Sequence, residues 1–62
     1  MQKFTLTNLK TGKVYNYEAE NAKDEIIKMR FKLDMGTFED CVLQEEYTQT
    51  GLEVFRFDIT EG

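Results

Sequence analysis

Residues 41–60, CVLQEEYTQTGLEVFRFDIT, decide how the chain is laid out. Cys41, Leu43 and Tyr47 alternate with Val42, Gln44 and Glu46, and Phe55, Phe57 and Ile59 alternate with Val54, Arg56 and Asp58. A period of two sends successive side chains to opposite faces of a strand. Between the two runs, Gln49-Thr50-Gly51 suits a type I turn followed by glycine in a bulge. A three-residue connection pairs Leu43 with Phe57 and Cys41 with Ile59, leaving all four on one face. The stretch therefore predicts a hairpin over 41–60, and Thr37-Phe38-Glu39-Asp40 ahead of it reads as a short turn.

Working back toward the N-terminus, Lys10-Thr11-Gly12 echoes that turn between strands at 3–8 and 13–18. Two registers compete for this first hairpin. A three-residue loop mixes polar and apolar side chains on both faces. A four-residue loop, Leu9–Gly12, pairs Phe4 with Tyr17 and Leu6 with Tyr15, and segregates them from Thr5, Thr7, Val14 and Asn16. The second register is the expected one. Between the hairpins, Asn21 has the chemistry of an N-cap, Asp24 and Glu25 sit where the helix dipole favours acids, and Gly36 is a natural stop. Ala22, Ile26, Met29 and Leu33 fall within about 60° of arc at 100° per residue.

These signals predict an α+β fold of ββαββ order, a four-stranded antiparallel sheet with one helix on one face. The chain reads as a single domain over 1–62, built of hairpin 3–18, helix 22–35 and hairpin 41–60. The expected core joins Phe4, Leu6, Tyr15 and Tyr17 to Ala22, Ile26, Met29 and Leu33, and to Cys41, Leu43, Tyr47, Phe55, Phe57 and Ile59.

Composition narrows the chemistry. The chain has 62 residues, no His, no Pro, no Trp and one Cys. Folding at this size hides only about 60% of the chain's surface. A single cysteine makes no internal disulfide. MQKFTLTNLK holds no apolar run of signal-peptide or membrane-span length, so the expected location is cytoplasmic, with no membrane partner. The net charge of −4 is unevenly spread. Residues 1–17 carry Lys3, Lys10 and Lys13 without an acid, whereas Arg56 is the one base among the eight acids of residues 34–62.

Catalysis finds little support in these residues. Cys41 has no histidine to activate it and lies beside Glu39 and Asp40, which oppose a thiolate. The pairs Glu39-Asp40 and Glu45-Glu46 consist of neighbours, which point to opposite faces of a strand. Asp34–Asp40 lacks the alternating ligands of a calcium loop. The expectation is a non-enzyme without metal or cofactor. Direct nucleic-acid binding is not expected either, since Lys3, Lys10 and Lys13 approach a basic stripe only if Tyr15 and Tyr17 are exposed.

Two surfaces stand out instead. Ile27 and Phe31 lie opposite the helix's core stripe, where a one-sided sheet leaves them uncovered unless the helix rotates Ile27 into the core or a loop covers them; uncovered, they are expected to form an anchor patch or an oligomer contact. On the second hairpin, Val42 and Val54 lie in an acidic field of Glu45, Glu46, Glu53 and Asp58, a surface suited to a basic partner. Asn21–Phe31, NAKDEIIKMRF, resembles a helix of the small uracil-DNA glycosylase inhibitors of phages, and Gly12-Lys13 with Tyr15-x-Tyr17 is similar to their hairpin. The likeness covers under half the chain, and the acidic second hairpin has no counterpart in it. It implies a small inhibitor of a nucleic-acid enzyme. The functional expectation is thus a non-catalytic protein-binding module, in its most specific form a phage-type accessory protein whose acidic hairpin occupies a basic nucleic-acid-binding enzyme of the host. The alternative is a homo-oligomeric structural or assembly subunit, a homodimer in its simplest form, held through Ile27 and Phe31 or through edge strands.

Overall fold

The first hairpin closes on Asn8. Its Oδ1 accepts from the Lys10 and Thr11 amides at 2.9 and 3.1 Å, an Asx turn that organises the loop. Gly12, at φ 78°, takes the left-handed conformation the loop requires. The Asn8 amide then donates to Lys13 O, and the Gly12 amide to Asn8 O, both at 2.8 Å. The computed structural model describes residues 1–49 and 54–61, and in it these bonds set the four-residue register expected from the side-chain pattern. Strands β1 (Gln2–Asn8) and β2 (Val14–Ala19) are antiparallel, with Phe4 opposite Tyr17 and Leu6 opposite Tyr15. The Phe4 and Tyr17 rings stack at 5.5 Å.

Helix α1 (Ala22–Met35) begins and ends where its caps place it. Asn21 Oδ1 accepts from the Asp24 amide, and Gly36, at φ 71°, turns the chain out of the helix. The Gly36 amide returns to Leu33 O and the Thr37 amide to Lys32 O, the paired bonds of a Schellman ending. Gln2 Oε1 accepts from the Ala22 amide at 2.8 Å and ties the helix start to β1. Ala22, Met29 and Leu33 are buried, with Ile26 packed against them.

The next element corrects the sequence reading. Residues 41–49 form a second helix, α2 (Cys41–Gln49), where a strand was expected. Asp40 starts it: Oδ1 accepts from the Val42 and Leu43 amides at 3.0 and 3.2 Å, and the Asp40 carbonyl accepts from the Gln44 amide at 3.0 Å. Leu43 and Tyr47, one helical turn apart, face inward together. Leu43 is completely buried, and the Tyr47 ring stacks on Phe55 at 6.0 Å. Gln44 Nε2 donates to Leu33 O, and the Tyr47 hydroxyl to Asp34 Oδ1, fastening α2 to α1.

Strand β3 (Phe55–Glu61) returns alongside β1, with Leu6 opposite Phe57 and Asn8 opposite Phe55, so the sheet has three antiparallel strands in the order β2-β1-β3. The class is α+β, but the described sheet lacks the fourth strand and carries two helices. Cys41, Ile59 and Val54 depart from their expected burial. Cys41 is exposed at the first position of α2. Ile59 is half exposed because, among the described residues, no strand pairs beyond β3. Val54 is buried, since β3 begins at Phe55 and the alternation that placed Val54 outward does not reach it. Thr50, Gly51 and Glu53, expected in the second turn and on the acidic surface, lie outside the described residues.

The core joins Phe4 and Leu6 of the central strand to Ala22, Met29 and Leu33 of α1, to Leu43 of α2, and to Val54 and Phe55. The opposite face of the sheet carries Lys3, Thr5, Thr7, Val14, Asn16, Glu18, Arg56 and Asp58, by alternation from the same registers. Among the described residues no helix is long and apolar enough to cross a membrane.

Candidate functional site

Among the described residues, those expected on one acidic hairpin surface lie on separate elements. Glu45 and Val42 are exposed on α2, Val54 is in the core, and Asp58 lies on β3, where its carboxylate pairs with the Arg56 guanidinium at 3.2 Å. Glu46 points inward. Its Oε2 accepts from Asn8 Nδ2 at 3.1 Å, its Oε1 accepts from the Tyr15 hydroxyl at 2.9 Å, and Lys13 Nζ stands 4.0 Å from Oε1. Lys13 also lies over the Tyr15 ring at 5.2 Å. A residue read as a partner contact is therefore the acceptor that docks α2 onto the first hairpin. The lysine's pKa is raised by Tyr15, through its hydroxyl and then its charge, and further by the Glu46 carboxylate.

Tyr15 and Tyr17 pack against the core from β2. The Tyr17 phenol is pushed above its ordinary value by burial, then by the charges of Asp40 and Tyr15. The two rings that a nucleic-acid platform would need thus lie on the helix side of the sheet. The open side bears none of the aromatic residues of β1, β2 and β3. A shallow groove of about 400 Å³ lies against Lys3, Asn16, Glu18 and Thr60, with the Lys3 ammonium held by Glu61 at 3.5 Å and near Glu18 at 4.0 Å. Among the described residues no cluster of His, Cys, Asp and Glu has the geometry to hold a metal. The Cys41 thiol reaches only the Glu39 carbonyl, at 3.9 Å.

Helix α1 presents the remaining surface. Ile27, Phe31 and Met35 are 57%, 64% and 62% exposed. A spacing of four residues advances each by about 40°, so the three form one stripe about 12 Å long, opposite Ala22, Met29 and Leu33. Ile27 and Phe31 were legible as outward-facing; Met35 was missed, although it continues the same i, i+4, i+8 series. Lys28 and Lys32 border the stripe on one side, and Lys23 on the other, by the same helical arithmetic. Two further neighbours are engaged within the fold: the Arg30 guanidinium covers the Phe57 ring at 5.5 Å, and Asp34 receives the Tyr47 hydroxyl.

No family model matches this chain, no curated protein matches it, and no solved structure matches it.

Proposed function

We propose that this chain is a non-catalytic protein-binding module that seats the outer face of α1 in an apolar groove of another protein. The observation that carries the reading is the stripe Ile27, Phe31 and Met35, each more than half exposed on a helix whose opposite face is buried. Single exposed apolar residues are ordinary, whereas a row of three at i, i+4 and i+8 is the pattern by which a helix engages a groove. The bordering lysines at 23, 28 and 32 outnumber Asp24, which stands in line with the stripe at its N-terminal end, and fit a groove with an acidic rim. This differs from the basic partner suggested by the acidic sequence, because Glu46 is consumed inside the fold and Glu45 and Asp58 belong to separate elements.

Capture from lysate with three baits tests the reading: the parent chain, Phe31→Glu, and Thr5→Glu on the open sheet face. Phe31 is exposed, so its replacement leaves the fold within about 0.5 kcal/mol. A partner held by the parent and by Thr5→Glu, retained at high salt and lost with Phe31→Glu, is the expected result. A partner that Phe31→Glu still holds, or no partner at all, counts against it.

A further inference from the structure

We infer that the free edge of β2 is a self-pairing edge, on which a second copy of this chain adds its own β2 antiparallel about Asn16. The argument starts from the phase of the backbone hydrogen bonds. The Asn8 amide bonds to Lys13 O, and antiparallel ladders alternate, so Tyr15, Tyr17 and Ala19 direct their backbone groups at β1. Val14, Asn16 and Glu18 therefore direct theirs away from the sheet, into the space beside β2, which is an edge strand. The strand contains no Pro and no Lys, and its six-residue pairing with β1 runs without a bulge. Those are the devices that ordinarily blunt an edge. The other edge, β3, is irregular where Lys3 and Phe4 pair with Glu61 and Ile59.

The side chains suit a second copy as occupant, and the backbone ladder selects the register. Centring the two-fold on Asn16 pairs it with itself, and pairs Val14 with the partner copy's residue 18, so no like charges meet. On the helix side, Tyr15 then faces residue 17 of the other copy. The cross-strand row Ile59, Phe4, Tyr17 continues directly into Tyr15, Leu6 and Phe57 of the second chain. A slip of one residue sets outward-directed backbone groups against inward-directed ones and leaves no ladder. Slips of two residues keep an apolar row, Tyr15 on Tyr15 or Tyr17 on Tyr17, but leave two outward-directed pairs within the strand where the Asn16-centred register has three. A standard interface takes about 800 Å² from each partner. One short edge of a molecule with 4440 Å² of surface offers less, so the dimer is of the weak, concentration-dependent kind.

Sedimentation equilibrium up to high micromolar concentration reads the outcome, using the parent chain, Asn16→Lys, Asn16→Glu and an equal mixture of the last two. Asn16 is exposed, so each replacement leaves the monomer folded, and circular dichroism verifies it. The parent is expected to approach twice the 7.3 kDa chain mass. Each variant alone, with like charges directly opposed, is expected to dissociate about tenfold more readily, and the mixture to recover the dimer. Recovery in the mixture also excludes misfolding as the cause of the loss. A parent that stays monomeric, variants that dimerise as the parent does, or a mixture that fails to recover overturns the inference. Since Phe31 is not part of this joint, a dimer abolished by Phe31→Glu and untouched at Asn16 places self-association on α1 and overturns it as well.

Discussion

Replacing Glu46 by Ala puts the docking of α2 to a direct measurement. In the structure the Glu46 carboxylate accepts from Asn8 Nδ2 and from the Tyr15 hydroxyl, with Lys13 nearby. Hydrogen bonds to a charged acceptor contribute about 1.5–3 kcal/mol each, and removing the acceptor strands a donor on Asn8, whose side chain is buried. Partial exposure of the carboxylate reduces the total, and a loss of about 2–3 kcal/mol is expected. For a domain of this size that lowers Tm by about 10–20 °C. Glu46→Gln keeps the shape and one carbonyl acceptor, and should lose about 1 kcal/mol. Thermal melts followed by circular dichroism give both numbers. Adding Tyr15→Phe alone and in combination closes a double-mutant cycle, in which a coupling of about 1 kcal/mol is expected between the two residues. If Glu46 instead faced solvent on a strand, Glu46→Ala would stay within about 0.5 kcal/mol of the parent and the cycle would be additive. That result would refute the docked helix.

Three further substitutions read other parts of the argument. Leu43→Ala should cost about 2–5 kcal/mol because the side chain is fully buried, whereas Cys41→Ala should change stability by under about 0.5 kcal/mol; equal effects from the two would return residues 41–49 to a strand. Gly36→Ala forces a side chain into the left-handed region at φ 71° and should cost about 1–2 kcal/mol by urea denaturation, although the added Cβ meets no atom within 4 Å. Tyr47 is held above its ordinary value of 10.0 by its hydrogen bond to Asp34, then by burial and by the Asp34 charge. Folding thus favours the protonated phenol, and this contribution is complete below pH 10.0 and lost as pH rises through the higher folded value. Urea melts across that alkaline range should show the parent losing more stability than Tyr47→Phe; parallel losses would contradict the bond.

The parts of the fold legible in the sequence were those specified redundantly and locally. The first hairpin had one register that segregated Phe4, Leu6, Tyr15 and Tyr17, and Leu9–Gly12 supplied a loop ending on the glycine it needed. Helix α1 had a cap at Asn21, a stop at Gly36 and a four-residue stripe. The segment 41–49 had no such redundancy. Leu43 and Tyr47 are separated by four residues, which satisfies a helix and also, as an even number, a strand. What separated the two readings was weaker: Glu45 interrupts the apolar alternation, Gln44-Glu45-Glu46 favours helix over strand, and Asp40 is a good N-cap. The echo of Thr-Gly in Thr50-Gly51 outweighed these signs in the sequence reading. Glu46 was illegible for a different reason. Its two donors lie 38 and 31 residues away, and no local pattern records a contact of that range.

Exchanging one strand for a helix reorganises the functional surfaces as well as the topology. A fourth strand would have extended the sheet and gathered the C-terminal acids on its outer side, as a basic partner requires. As a helix, the same residues turn Leu43, Glu46 and Tyr47 inward, so one of the four acids expected at a partner surface becomes a structural acceptor. The helix also spends its polar groups on both of its neighbours, with Gln44 and Tyr47 reaching α1 and Glu46 reaching the first hairpin. It therefore covers the sheet without adding to it, and a three-stranded sheet keeps two free edges. The stripe of α1 is unaffected by this change, because Ile27, Phe31 and Met35 face away from every element that moved. The proposed partner face depends on α1 alone and the proposed self-pairing depends on β2 alone, so either can fail in experiment while the other stands.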